Sequence, residues 1–202
     1  MATRSDKRRT PAEPGGARER LLRAAYELFR RHSLNTVGVD RIVAEADVAK
    51  TTLYRHFSSK DELAVSVLEH HEQVWTRDWL ERTVRERKTA GAGLLAIFDA
   101  FDDWFRRDDF RGCLFTNALL ETRDPGSPVQ TAAATGLRNI RALIAGLAKE
   151  AGVRDPDLIA RQLQMLLLGA IVYAVEGQLD AARQAREVAR VLLERDGVRL
   201  DS

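Results

Sequence analysis

The densest concentration of groups able to do chemistry lies in ten residues, Val48 to Phe57, reading Val-Ala-Lys-Thr-Thr-Leu-Tyr-Arg-His-Phe. Lys50, Thr51, Thr52, Tyr54, Arg55 and His56 are hydrogen-bonding or cationic. Leu53 and Phe57 are four apart, so on a helix they share one buried face, with Val48 anchoring the entry turn. The polar residues between them then turn outward. A short helix with two apolar anchors and a dense polar outer face suits a DNA major groove, where such side chains meet base edges and phosphates.

That stretch needs elements to hold it. Upstream, Val39 to Ala46 reads as a helix with Ile42, Val43 and Ala46 inward. Asp47 ends it, because Asp tolerates the left-handed turn conformation better than most residues. Helix, tight turn and short polar helix make a helix-turn-helix. Downstream, Ser58 is expected to cap the next helix, with Asp61 completing a capping-box-like start. Before them, Ala17 to His32 carries Leu21, Leu22, Ala25, Leu28 and Phe29 at helical spacing, a third helix to pack behind the pair. Ser33 to Gly38 is a loop.

The run Ile42 to Leu63 closely resembles the signature of the tetracycline-repressor (TetR) family of bacterial transcription regulators. Ile42, Ala46, Val48, Leu53-Tyr54, His56-Phe57, Lys60 and Leu63 carry the match. Two residues depart from the pattern: Asp47 stands where the family usually has Gly, and Ala49 where it often has Ser or Thr. The missing hydroxyl at Ala49 could cost on the order of 1 kcal/mol of helix capping. The resemblance implies an all-α chain with a three-helix helix-turn-helix domain over residues 17–63 and a helical ligand-binding and dimerisation domain over 64–202. Its partners would be a palindromic double-stranded operator, a second copy of the chain and a small-molecule effector that releases a repressor from DNA. Matched residue by residue, Lys50, Thr51 and Thr52 are expected at base edges and Tyr54, His56 and Lys60 at phosphates, with Arg41 and Arg55 completing the DNA-contacting set.

The rest of the chain reads as helix after helix. One is expected from Lys60 to about Thr83, with Leu63, Val67, His71, Val74, Trp75 and Trp79 as its apolar stripe. Ala90-Gly91-Ala92-Gly93 reads as a loosened connection. Leu94 to Phe105 follows, then a short apolar helix over Arg111 to Leu120. Asp124 to Pro128 is a break. Val129 to Ala151, Leu158 to Leu179 and Ala181 to Arg195 complete the set. The last two resemble half of an intersubunit four-helix bundle. No strand-period alternation appears, so the architecture is all-α with about nine helices, in keeping with common helix lengths. A ligand cavity is expected where aromatic and polar faces converge. Phe98, Phe101, Phe105, Phe115, Asn117, Gln164, Leu168 and Tyr173 should line it, and His71 or Trp75 should close its base. The ligand expected there is largely apolar and neutral or weakly polar.

Charge and composition bound the alternatives. The 202 residues carry a net charge of +2 and 45% hydrophobic residues, ordinary for a globular protein. Residues 1–63 hold 13 Lys and Arg against 9 Asp and Glu, so positive charge gathers where phosphate attraction needs it. Residues 1–16, with Arg4, Lys7, Arg8 and Arg9, read as a disordered basic arm. Cys113 is the one cysteine, so no internal disulfide is possible. No secretory signal is legible, and the run Met165 to Val175 is too short to span a bilayer. Together these suit a cytoplasmic protein that needs no membrane. His70 and His71 are adjacent and point apart, a poor metal pair, so neither metal nor cofactor is expected. One alternative is a DNA-binding regulator with no small-molecule ligand; the alternative of another class is a small helical enzyme. Against it, there is no phosphate-cradling glycine loop, metal-ligand spacing or activated nucleophile.

Overall fold

A computed structural model describes residues 16–122, 124 and 126–200. The expected basic arm therefore falls outside the described residues except for Gly16, and so does Pro125 in the expected break. The helices are α1 (Ala17–Arg31), α2 (Val39–Glu45), α3 (Lys50–His56), α4 (Lys60–His71), a π-wound stretch (Glu72–Glu81), α5 (Arg82–Arg85), α6 (Ala90–Phe105), α7 (Leu114–Glu121), α8 (Pro128–Glu150), α9 (Pro156–Glu176) and α10 (Ala181–Arg195). From α4 to α5 the backbone stays right-handed helical at both junctions, so these segments form one rod. The described residues thus fold as nine rods without a strand, the expected all-α architecture.

α1 buries Leu21, Ala24, Ala25, Leu28 and Phe29, the residues its apolar spacing aligns. It packs on α2, α3 and α4. Ile42, Leu53 and Phe57 close the small core from the other side, each at 1% exposure or less. The turn between α2 and α3 forms as the sequence suggests. Asp47 sits at φ 48°, and the amides of Asp47 and Val48 bond back to Ala44 and Val43 at 3.3 and 3.1 Å. This closure satisfies the last carbonyls of α2.

Three boundaries differ from expectation. The cap of α4 is Ser59, not Ser58: Ser59 Oγ accepts from the Glu62 amide at 3.1 Å. Glu62, not Asp61, reaches back, accepting from the Ser58 amide and hydroxyl at 2.6 Å each. The box is real but shifted one residue on. The rod from Lys60 is continuous as expected, yet its middle ten residues wind more widely than an α-helix. The run Ala90 to Gly93 is no loosened connection. It is the first turn of α6, capped by Thr89 Oγ1 on the Ala92 amide. Its glycines serve close approach: a Cβ on Gly91 would lie 2.1 Å from the Arg199 carbonyl oxygen.

In the larger half, α8 packs on α4, α7, α6 and α9, while α10 packs on α6 and α9. Phe98, Phe105, Phe115, Leu94, Ile144 and Leu163 lie in its centre at 2% exposure or less.

Candidate functional site

On α3 the two classes of residue separate as their spacing dictates. Leu53 is buried, Thr52 is half-buried, and Lys50, Thr51, Tyr54, Arg55 and His56 face solvent. The helix has seven residues and an extended residue, Ala49, at its start with no side-chain cap. The departure from the family pattern at Ala49 is therefore visible as an open amino end. Lys50 Nζ pairs with Asp40 Oδ1 of α2 at 2.8 Å, which raises the lysine pKa. The pair is exposed, so it is worth little and exchanges readily for a phosphate or base. Arg41 donates from Nη2 to His32 Nε2 at 2.8 Å. Lys60 is less free than expected: its ammonium donates to the Leu34 carbonyl and it is half-buried. An ammonium has three donors, so that bond leaves two.

The reading head is tied to the larger half at two places. Arg30 of α1 donates to Asp109 at 2.8 Å, and Ser33 and Asn35 bond to Glu121 at the end of α7. Arg107 and Arg30 together hold the Asp109 carboxyl far below the usual carboxylate range. Between these ties, the Tyr26 hydroxyl lies 3.0 Å from His71 Nδ1. His71 is 4% exposed, stacked at 5.7 Å on Trp75 and edge-on at 4.9 Å to Phe115. Burial, with Arg30 and His70 adding, pushes its pKa down to about 3. Neutral His71 shares a hydrogen bond through Nδ1 with Tyr26, whose own hydroxyl burial keeps protonated.

The expected ligand residues do not converge on one cavity. Phe101 and Phe105 pack with Trp75, Trp104 and Phe110 in an aromatic cluster, and Phe98 is wholly buried. These rings pack on one another. Gln164 spends its amide on the Leu137 carbonyl at 2.7 Å and its oxygen on Arg141 at 3.2 Å. Leu168 is half-buried against the core, and Tyr173 points outward at 54% exposure. His71, Trp75 and Asn117 do meet, but around a space of about 20 Å³, room for a single water.

The roomy site is elsewhere. A cleft of about 580 Å³ opens between α4 and α8, lined by Val65, Leu68, Glu69, Glu72, Phe115, Pro128, Thr131, Ala132, Thr135, Gly136 and Asn139. Of the expected set, only Phe115 reaches it. The signal in the sequence is what is missing from Thr-Ala-Ala-Ala-Thr-Gly at 131–136, a helical face with almost no side-chain volume. Gly136 is required: a Cβ there would lie 2.3 Å from the Phe115 ring. Gly136→Ala should destabilise the fold by about 1–3 kcal/mol, because Phe115 must leave a well-packed position. Chemical denaturation checks this, and a cost below about 0.5 kcal/mol would mean that Phe115 moves freely.

α9 carries a second unpaired feature. Leu158, Met165 and Val172 recur every seven residues along it at 40–63% exposure, Leu179 follows beyond its Gly177 end, and Val188 and Val191 of α10 are also exposed. By length and composition α9 could cross a membrane, with mean hydropathy 1.7 in its most apolar window. In the fold its other face buries Ile159, Leu163, Leu167, Ile171 and Ala174 in the core. Among the described residues no group of three His, Cys, Asp or Glu could hold a metal ion.

Comparison with known proteins agrees with this geometry. Residues 21–67 match the model of the bacterial regulatory proteins of the tetR family, and residues 90–190 match a tetracyclin repressor-like C-terminal domain. The transcriptional activator FasR of Mycolicibacterium smegmatis is 30% identical over 164 residues, 79% of this chain and 69% of that one. The transcriptional regulator YjdC of Escherichia coli is 25% identical, covering 89% of this chain and 97% of that one. The crystal structure of SCO4454, a TetR-family regulator from Streptomyces coelicolor, superposes with a TM-score of 0.84. It is 30% identical and covers 91% of each chain. With a helix-turn-helix whose polar face is exposed, and relatives that are transcription regulators rather than enzymes, the chain belongs to the TetR family of DNA-binding transcriptional regulators.

Proposed function

We propose that this regulator binds a palindromic operator as a two-fold dimer, acts as a cytoplasmic repressor, and is released when a small molecule enters the larger half. One observation carries the reading. A polar recognition face on α3 and a roomy cleft on α4 belong to adjacent elements, with Phe57 to Ser59 between them. A ligand that reshapes the cleft therefore acts on the rod that carries the reading head. It can do so only by binding the non-DNA conformation more tightly, and a tenfold loss of operator affinity needs about 1.4 kcal/mol of such coupling. Residues 17–63 serve as the DNA-binding domain and 64–202 as the effector and dimer domain.

Within the interface, Lys50, Thr51 and Thr52 read base edges. Tyr54, His56 and Lys60 hold phosphates, and Arg41 and Arg55 add positive charge beside them. Lys60 keeps its bond to Leu34 and turns its remaining donors outward, so that one contact ties the backbone of the duplex to the loop after α1. Lys60→Ala should weaken binding to all sequences alike and flatten the salt dependence by about one unit of slope. Lys50→Ala should instead relax preference at one base pair, at about 1–3 kcal/mol. Salt titrations and a library of single-base operator variants measure both, and an even loss across sequences for both mutants would refute this division of roles. A reporter gene behind the operator tests the sign: deletion of the regulator should raise expression, and a fall would make it an activator.

A further inference from the structure

The cleft between α4 and α8 has mainly apolar or weakly polar walls, with Leu68 and Phe115 facing Ala132 and Thr135. The charged groups lining it are both carboxylates, Glu69 and Glu72. Glu72 stands where α4 passes into the π-wound stretch. Its Oε1 accepts from Asn139 Nδ2 at 3.0 Å and lies 3.7 Å from Arg77 Nε. Its Oε2 is shielded from solvent and has no hydrogen-bond partner. An unpartnered carboxylate oxygen in a weakly polar site is costly, because it has lost water and gained nothing. Arg77 does not repair this: its contact is with the other oxygen and is too long for a hydrogen bond. What the site lacks is a donor.

We infer that the cleft takes an amphipathic organic cation, an alkyl or aryl ammonium with at least one N–H. Its ammonium sits on the Glu72 carboxylate and its hydrocarbon part lies along Leu68, Phe115 and Ala132. This rests on the reading that the chain answers to a small molecule, and it replaces the neutral ligand expected from the sequence with a charged one. An anion would meet two carboxylates. A neutral hydrocarbon would fill the walls and leave Oε2 without a donor. A quaternary ammonium would bring charge but no N–H. The terminal torsion of a glutamate is broad, so the Glu72 carboxylate can turn to meet a donor in the cleft. A volume of about 580 Å³ falls within the range of small-molecule sites.

The test is calorimetric titration of the full chain with n-octylammonium, octyltrimethylammonium, n-octanol and octanoate. Octylammonium should bind at least tenfold tighter than octanol and the trimethyl analogue, with octanoate weakest. Glu72→Gln should weaken octylammonium at least tenfold and leave octanol unchanged. Because losing the Asn139 contact can also disturb the fold, Ala132→Trp provides a second arm. It fills the cleft from the opposite wall and should abolish binding of all four while thermal unfolding stays cooperative. Equal affinity for amine and alcohol, a preference that survives Glu72→Gln, or binding that survives Ala132→Trp would each overturn the inference. Operator titration keeps it distinct from the effector reading. Glu72-dependent amine binding with unchanged operator affinity upholds the cleft and refutes the switch. A different ligand class that releases DNA without Glu72 does the reverse.

Discussion

Val172→Arg should turn the chain into a monomer and lower its affinity for a palindromic operator by about 100-fold or more, the scale set by losing a tethered second binding event. Val172 is 62% exposed on the seven-residue stripe of α9, and Val188 and Val191 are exposed on α10, which packs on α9. An apolar face that crosses two neighbouring helices marks an interaction surface rather than scattered exposed residues. In a two-fold interface the same patch meets itself, so one substitution places two arginines near the axis. Each would lose its water on burial and repel the other, a penalty of several kcal/mol. Leu120→Arg is the control. Leu120 is 70% exposed at the end of α7, away from the stripe, and its substitution should change neither mass nor affinity. Sedimentation velocity and fluorescence anisotropy on a duplex operator read the two effects. A Val172→Arg dimer that still binds tightly would exclude α9 and α10 as the interface.

The same arithmetic explains which parts of the molecule could be read from the sequence. The helix-turn-helix was legible because its determinants are local. Leu53 and Phe57 are four apart, and Asp47 can take a left-handed turn without help from distant residues. The cap of α4 was displaced by one residue because Ser58 and Ser59 both qualify, and only the position of the Glu62 carboxylate separates them. The stripe on α9 was legible as an excess of apolar residues. The cleft between α4 and α8 was not, for a physical reason. Reading large aromatic residues as cavity walls overlooks that Phe101, Phe105, Trp104 and Phe110 can fill the space with one another, as they do. Space is left by small residues, and Ala132 and Gly136 act on a helix that packing alone brings against α4. The Gly91 and Gly93 pair misled in the same way. Paired glycines suggested slack, whereas Gly91 admits a distant backbone at Arg199.

Acid should destabilise this protein well before its carboxylates titrate, and His71 should be the cause. The unfolded chain binds a proton at His71 near the ordinary histidine pKa of about 6.5. The folded chain does not bind it until about pH 3. Above pH 6.5 both states are neutral there, and His71 contributes nothing to pH dependence. As pH falls below 6.5 only the unfolded state gains the proton, so stability is lost at up to about 1.4 kcal/mol per pH unit. By pH 3.5 the loss from this one group would approach ~4 kcal/mol, a large fraction of typical domain stability. Asp109 and Glu62, whose pKa values are lowered in the fold, add their own losses only below about pH 4, where unfolded carboxyls begin to protonate. The window between pH 6.5 and 4.5 therefore isolates the histidine. His71→Asn keeps an acceptor near the position of Nδ1 for Tyr26 and removes the titrating ring. It should unfold more easily at pH 8, having lost ring contacts with Trp75 and Phe115, yet its stability should be flat across that window. Urea denaturation at half-unit pH steps supplies the comparison. His71 lies under the junction of α1 with the core and stays neutral in the folded chain throughout this window, so the Tyr26 contact that seats the reading head is kept. Operator affinity of the folded wild type, measured at constant ionic strength, should therefore fall no more steeply over this window than that of His71→Asn, the acid effect of His71 being confined to stability. Parallel stability curves for the two proteins would assign the acid sensitivity to other groups.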